Sequence, residues 1–454
     1  MIMSSTIIRL SRWSAGVRFE DIPAPVLTAA RRCIIDTVGV ALAGSVTATA
    51  RHARTVAVLT AKPDHSSIIG DGQRLSAPAA AFANAVSGHA LDFDDNCNAG
   101  FVHGSAVIWP AALAVAQMHD LDGAKLLTAF VVGAECQYAL AQALTGVVYD
   151  KGWWTTGLFG ALGACAAACH AMGLDAERSA AAMGIALAGS SGLKAGFGTD
   201  AKTLVAGRAS EIGVTAALLA AQGCSGPSDI VEHPRGMASM FGQGIVVPVE
   251  GLGQVWRLLD PGVDIKRIPV CMSSHAAVDA LLELFACHGL QAADVAEVVC
   301  DVPGIVMQNL PYLQPGSPQQ AQFSLPFALA CTAVEGEVTL GSLSQRVIDD
   351  THIQGWMPRV RMHTSERWSA SLLETAPEGA WVKVVTTDGR MFERFRARHR
   401  GSASDPLPFD ELRGKFLNCA SHMLPASDAQ ALFQRLEQLK HLASARALFS
   451  SSNT

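Results

Sequence analysis

The sequence predicts a mostly α-helical protein: a large all-helical domain carrying a smaller inserted α+β lid. Three observations predict it. Residues 24–245 run as one apolar helical segment after another, joined by short glycine or proline breaks. The texture changes near "VDIKRIPVCMSSHAAVDALLELF", after which β-rich runs appear. Residues 408–446 then return to amphipathic helix, so the C-terminus is expected to rejoin the first domain. The chain divides on this reading into 1–265, 266–400 and 401–454.

In chain order, "APVLTAARRCIIDTVGVALAG", "SAPAAAFANAVSGHALDF", "AKLLTAFVVGAECQYALAQALTG" and "TLVAGRASEIGVTAALLAAQG" each repeat apolar residues at helical spacing. Alanine and glycine fill many of the inward positions, which lets helix axes approach closely. In the lid, "VAEVVCDVPG", "PRVRMHT" and "WVKVVTTDGRMFERF" read as strands, with Asp388 and Gly389 marking a hairpin turn. "AQFSLPFALACTAVEG" and "LGSLSQRVIDD" read as helices between them. An insertion of this kind places a cleft between body and lid, a common position for an active site.

Half of the 454 residues are apolar and 16% are charged, a ratio that calls for a large buried interior extended by a homo-oligomeric interface. The formal net charge of −6 and the lack of long basic runs argue against nucleic acid as a partner. The first residues, "MIMSSTIIRLSRWSAG", carry an arginine inside the apolar stretch, so no signal peptide is read there. Residues 157–174 come nearest to a membrane span, yet their alanine and glycine content favours a buried packing helix, and no membrane contact is expected. Eleven cysteines without a CxxC pair suggest reduced thiols in a cytoplasmic protein. Cys165, Cys169 and His170 form the tightest group and are read as packing, since no second ligand cluster completes a metal site.

Chemistry concentrates in "SGHALDFDDNCNAGFVHGSAVIWPAALAVAQ", residues 87–117. If the preceding helix continued through it, His89, Asp92 and Asn96 would share one face, with Asp95 beside Asp92. Carboxylates that close, partly desolvated, could tune one another toward acid–base work; a solvated acidic helix end is the plainer alternative. His103 precedes a serine and an apolar run, the pattern of a helix N-terminus, where an anion could bind. Lys194 and Lys202 flank a glycine-rich loop that lacks any nucleotide-binding fingerprint. Lys266, Arg267, Cys271 and His275 fall at the expected domain junction, where a lysine–histidine anion clamp is more economical than a Cys/His nucleophile without an oxyanion loop.

"GHALDFDDN", "HGSAVIWPAALAVAQ", "TGLFGALGACAAACHAMGLDAERSAAAMGIA", "GTDAKTLVAGRASEIGVTAALLAAQGCSGPSDIVE", "IKRIPVCMSSHAAVDA" and "AQFSLPFALACTAVEG" resemble, in order, successive blocks of the MmgE/PrpD family. The resemblance covers almost the whole chain. It implies a helical domain with a smaller lid, usually dimeric, and metal-free, cofactor-independent chemistry on di- or tricarboxylates. Carried over residue by residue, it implies catalytic roles for Asp92, His103, Lys202, Lys266 and His275. Substrate-binding positions fall on Asn96, Trp154, Cys271 and Met307. Trp154 and Met307 stand where relatives carry a histidine and a tyrosine, Cys271 replaces a second lid histidine, and Asn96 replaces a threonine.

The shared chemistry is proton abstraction α to a carboxylate, with lysines stabilising the carbanion-like charge. Loss of a histidine and a tyrosine removes proton donors that elimination or decarboxylation needs. The sequence therefore points to an epimerase of the iminodisuccinate type. A hydro-lyase of the 2-methylcitrate type, a decarboxylase of the cis-aconitate type and a non-catalytic carboxylate-binding protein follow as alternatives.

Overall fold

The computed structural model describes residues 5–242, 249 and 251–450. The first four residues and 243–245, at the end of the expected helical stretch, lie outside the described residues. Nine of the helices are α1 (Thr6–Gly16), α2 (Ala24–Gly44), α3 (Ala48–Thr60), α4 (Ala77–His89), α5 (Gly104–Met118), α6 (Gly123–Val148), α7 (Thr155–Ala171), α8 (Ala176–Ala188) and α9 (Asp200–Ala221). All of them but α3 share one apolar core, which also takes in Leu412, Phe416 and Phe433 from two late helices, α12 (Phe409–Ala420) and α13 (Ala426–Glu437), while α3 packs Ala50, Ala53 and Ala57 into a smaller cluster with Phe82 and Val86 of α4. The chain thus leaves this body, builds the lid and comes back.

Within the expected all-helical stretch the structure adds a short antiparallel pair, β1 (Pro63–Ser67) and β2 (Arg74–Leu75). Pro63 removes a backbone donor and Gly70, at φ +76°, turns the chain, so helix cannot run through. Buried Asn84 of α4 holds the pair: its Oδ1 accepts from Ile69 N and its Nδ2 donates to Ser67 O, both at 2.8 Å.

Small residues set the helix spacing. A Cβ added to Gly133 of α6 would sit 2.6 Å from the carbonyl oxygen of Gly163 in α7, and one on Gly213 of α9 would sit 2.6 Å from Cys165 N, also in α7. Gly133→Ala is expected to lower stability by roughly 1–3 kcal/mol, the scale for overpacking. That cost exceeds the gain of about 1 kcal/mol in helix propensity, and chemical denaturation measures the net. Helix α7, the segment nearest to a membrane span by sequence, is buried along nearly its whole length among its neighbours. Cys165 and Cys169 face each other there at 3.9 Å, while His170 turns away to Ser14 O. Only α9, among the described residues, is long and apolar enough to cross a membrane, and half of its apolar stretch is buried within the protein.

The lid has its own core, drawn from residues between Ile268 and Val384. A four-stranded sheet of β3 (Val295–Asp301), β4 (Val360–His363), β5 (Ala380–Thr386) and β6 (Met391–Arg396) runs in the order β4-β3-β5-β6, parallel only between β3 and β4. Strand β5 buries alternate residues, Ala380, Val382, Val384 and Thr386, as a half-covered strand must. The expected turn closes β5 onto β6, with Gly389 at φ +85°. Helices α10 (His275–His288) and α11 (Leu325–Glu335) complete this core.

The passage from body to lid is anchored in the body. Glu135 of α6, fully buried, accepts Arg257 N at 2.9 Å and Leu258 N at 3.0 Å. A few residues later Asp264 and Asn96 exchange backbone hydrogen bonds of 2.8 and 2.9 Å. That bridge ties the start of the lid to the acidic loop.

Candidate active site

Helix α4 stops at His89, so the expected shared face of His89, Asp92 and Asn96 does not form. Asp92 takes φ +48°, a left-handed turn that aspartate tolerates better than most residues. The reversal drives its carboxylate inward: Asp92 is 2% exposed, and Asp94 and Asp95 are fully buried. The reading of this segment as a solvated acidic helix end is thereby corrected.

Two lysines from opposite parts of the chain hold Asp92. Lys202, in the first turn of α9, reaches Oδ1, and Lys266, at the lid junction and wholly inaccessible, lies 2.8 Å from Oδ2. Lys266 also donates to the Asp92 carbonyl. Burial would raise the Asp92 pKa, but the two ammonium groups reverse this and hold the carboxyl well below its usual range. Burial likewise works against the charge of Lys266, and Asp92 and Asp94 outweigh it, so this lysine titrates above its ordinary value. Phe197, Phe323 and Trp154 ring the Lys202 ammonium at 5.1–5.2 Å. Lys194, which the sequence paired with Lys202, instead lies 3.7 Å over the ring of Tyr149.

Asp94 stands behind two imidazoles, with His89 Nδ1 at 2.9 Å and His103 Nδ1 at 3.2 Å. Burial opposes its ionisation, yet the two histidines hold its pKa well down. Burial lowers His89 to about 4 despite Asp94, so this ring is neutral. It stacks on Trp154 at 5.3 Å and meets the edge of His103 at 4.7 Å. His103 is the N-cap of α5 and lines the cavity, its backbone N–H donating to Thr156 Oγ1 at 2.9 Å. The serine expected as that cap, Ser105, instead donates its hydroxyl to Asp95. Burial keeps the Asp95 pKa up at about 7.

The cavity, about 40 Å³, is lined by Asp92, Asn96, His103, Trp154, Lys202, Lys266 and Cys271 among the residues expected from sequence. It also meets Phe101, Tyr149, Phe197, Asn309, Phe323 and Glu378, which sequence reasoning missed. Burial raises the Cys271 thiol to about 11, which leaves no thiolate at neutral pH. Two expected residues are not brought in. His275 points its Nε2 at Val270 O, 3.2 Å away, and packs against His399 behind the lysine clamp. Burial, with His399 and Lys266 nearby, pushes its pKa well down, so it adds no charge to the clamp. Met307 is 36% exposed and lines no part of the cavity. Asn309, two residues on in the same short helix and so on a different face, lines it instead.

His89, Asp92, Asp94 and His103 place one ligand atom each within 4.8 Å of one another, enough to hold a cation by spacing. Both Asp92 oxygens already carry an ammonium group, so a dication there would face two fixed positive charges. The donor set suits an anion-facing hydrogen-bond network better than a metal. His103→Ala is expected to cut turnover at least about a hundredfold, the scale for a lost acid–base group. Steady-state kinetics with the substrate found by the assays below provides the check.

A helical body and an inserted lid thus meet over a lysine-clamped carboxylate and a histidine. The chain belongs to the MmgE/PrpD family: the MmgE/PrpD N-terminal domain matches residues 8–247 and the C-terminal domain matches 268–440. Similar proteins include cis-aconitate decarboxylase of Homo sapiens, 26% identical over 94% of this chain and 90% of that one. The Mus musculus cis-aconitate decarboxylase is 24% identical over 97% and 92%. The cis-aconitate decarboxylase-like protein oryM of Aspergillus oryzae is 26% identical over 93% and 92%.

Proposed function

We propose that this chain is a lyase that moves a proton at a carbon α to a carboxylate of a di- or tricarboxylic acid, with decarboxylation of a cis-aconitate-like acid as the leading reaction. The carrying observation is the Asp92 carboxylate held between Lys202 and Lys266, with His103 on the same cavity. A substrate carboxylate entering there meets two ammonium groups in a water-poor setting, where fixed charge stabilises developing negative charge far better than water does. His103, backed by the Asp94 carboxylate, is oriented to exchange a proton with the bound acid.

The epimerase reading rested on missing proton donors. Glu378 lines the cavity and supplies a donor that the sequence did not reveal, which favours the lyase. The names of the relatives support the same choice. Epimerisation stays the second reading because acid–base groups come from both body and lid. A homodimer and a cytoplasmic setting belong to the proposal as well, supported by outward apolar residues such as Val56 and Leu59 of α3 and by eleven free cysteines.

The test is incubation with cis-aconitate, 2-methylcitrate and iminodisuccinate separately in deuterated water. Carbon dioxide from cis-aconitate supports the decarboxylase, and absorbance from a new double bond supports the hydro-lyase. Deuterium exchange without loss of either moves the assignment to epimerase. No exchange with any of them leaves a binding protein and sinks the catalytic reading.

A further inference from the structure

We propose that Glu378 is a catalytic residue: the proton carrier of the lid side, which protonates the substrate carbon after the carboxyl group departs. The assignment rests on the lyase reading above.

Four residues far apart in sequence form one directed chain along the lid side of the cavity. The Tyr149 hydroxyl donates to Asn309 Oδ1 at 2.9 Å, Asn309 Nδ2 donates to Ser273 Oγ at 3.1 Å, and the Ser273 hydroxyl donates to a Glu378 oxygen, Oε1. Each donor points toward Glu378. Oε1 is therefore committed as an acceptor, and a proton on this carboxyl belongs on Oε2, while Glu378 itself lines the cavity. Tyr149 also lines the cavity, but its own proton is spent on Asn309, which makes it a poor donor to substrate.

The two carboxylates of the cavity have opposite surroundings. Asp92 meets two ammonium groups and is ionised; Glu378 meets a hydroxyl. Burial raises the Glu378 pKa above the usual carboxylate range, against the smaller pull of Ser273 and of His399 and Lys266 nearby, with Asp264 adding to the rise. Pairs of carboxyl groups whose environments push them apart divide into charge stabiliser and acid.

The bond from the departing carboxylate to the chain breaks, its electron pair stays on the carbon framework as an enolate-type anion facing Lys202 and Lys266, and carbon dioxide leaves. The Oε2–H bond of Glu378 then breaks as the new C–H bond forms. Glu378 is left as a carboxylate and takes its next proton from water.

The experiment uses the full chain with cis-aconitate as the probe, measuring carbon dioxide release and, in deuterated water, deuterium in the product. Wild type is expected to place one deuterium per turnover. Glu378→Gln, isosteric but without the acid, is expected to lower kcat at least about a hundredfold with KM changed less than about threefold. Glu378→Ala is expected to regain at least about tenfold in rate with added formate, which a structural role would not allow. A Glu378→Gln enzyme within about threefold of wild-type kcat overturns the assignment. A loss that falls on KM and ignores formate does the same. If wild type itself neither releases carbon dioxide nor exchanges deuterium, the lyase reading falls and takes this assignment with it; a working wild type beside an unimpaired Glu378→Gln leaves the lyase reading standing.

Discussion

Asp92→Asn is expected to reduce turnover at least about a hundredfold while the substrate is still bound. The substitution keeps the shape of the side chain and removes the charge on which Lys202 and Lys266 converge. Lys266, with no exposed surface, then keeps only carbonyl partners for its ammonium group. Breaking one side of a buried charge pair costs about 3–5 kcal/mol, so the lysine sheds its proton more easily and ceases to be a fixed positive charge. Kinetics at constant pH measure the first effect, and denaturant unfolding of the same variant measures the second. A rate within severalfold of wild type would remove the clamp from the mechanism.

Lys415→Met is expected to cost as much stability, about 3–5 kcal/mol at neutral pH, read from denaturant midpoints. Lys415, on α12, places its ammonium 2.6 Å from the carboxylate of Asp36, which is 1% exposed in the middle of α2. It also donates to Phe93 O at 2.9 Å and lies 3.8 Å over the Phe93 ring, between Asp92 and Asp94 in sequence. Burial already raises the Asp36 pKa in spite of this lysine. Without it the folded state must keep the carboxyl protonated while the unfolded chain lets it ionise. A folded state that binds more protons loses stability as pH rises. The deficit of the variant should therefore be greatest near neutrality and shrink as pH falls toward the ordinary carboxylate range. A deficit independent of pH would show that packing, not charge, is the cause.

Periodicity made the helices legible, because a buried helix must repeat its apolar residues whatever its neighbours are. The return of the last helices to the body could be read for the same reason. Asp92, His103, Lys202 and Lys266 stood out as scarce polar residues in apolar surroundings, and the structure brings them to one cavity. What could not be read depends on the turn after His89: the left-handed Asp92 ends the helix and cancels the periodic argument for Asn96. Glu378 lies in "APEGAW", a loop with no repeat and no motif, and meets Ser273 only through the fold. Tyr149 closes a long apolar helix as its C-cap, and nothing local tells a capping tyrosine from one facing a cavity. His275 fails the other way: its type and position suggested the site, while the packing of α10 turns it behind the clamp.

Because α12 and α13 complete the core begun by α2, the order of synthesis and the order of folding differ in this chain. A ribosome releases the lid segment, whose contacts are comparatively local, before it releases Lys415 and Phe416, which meet Asp36 and Gly39 of α2. The lid can close early, whereas the larger half waits with an uncovered seam until translation is nearly finished, an interval in which nascent chains depend on chaperones. Premature stop codons anywhere after the lid should yield aggregates, not a working fragment.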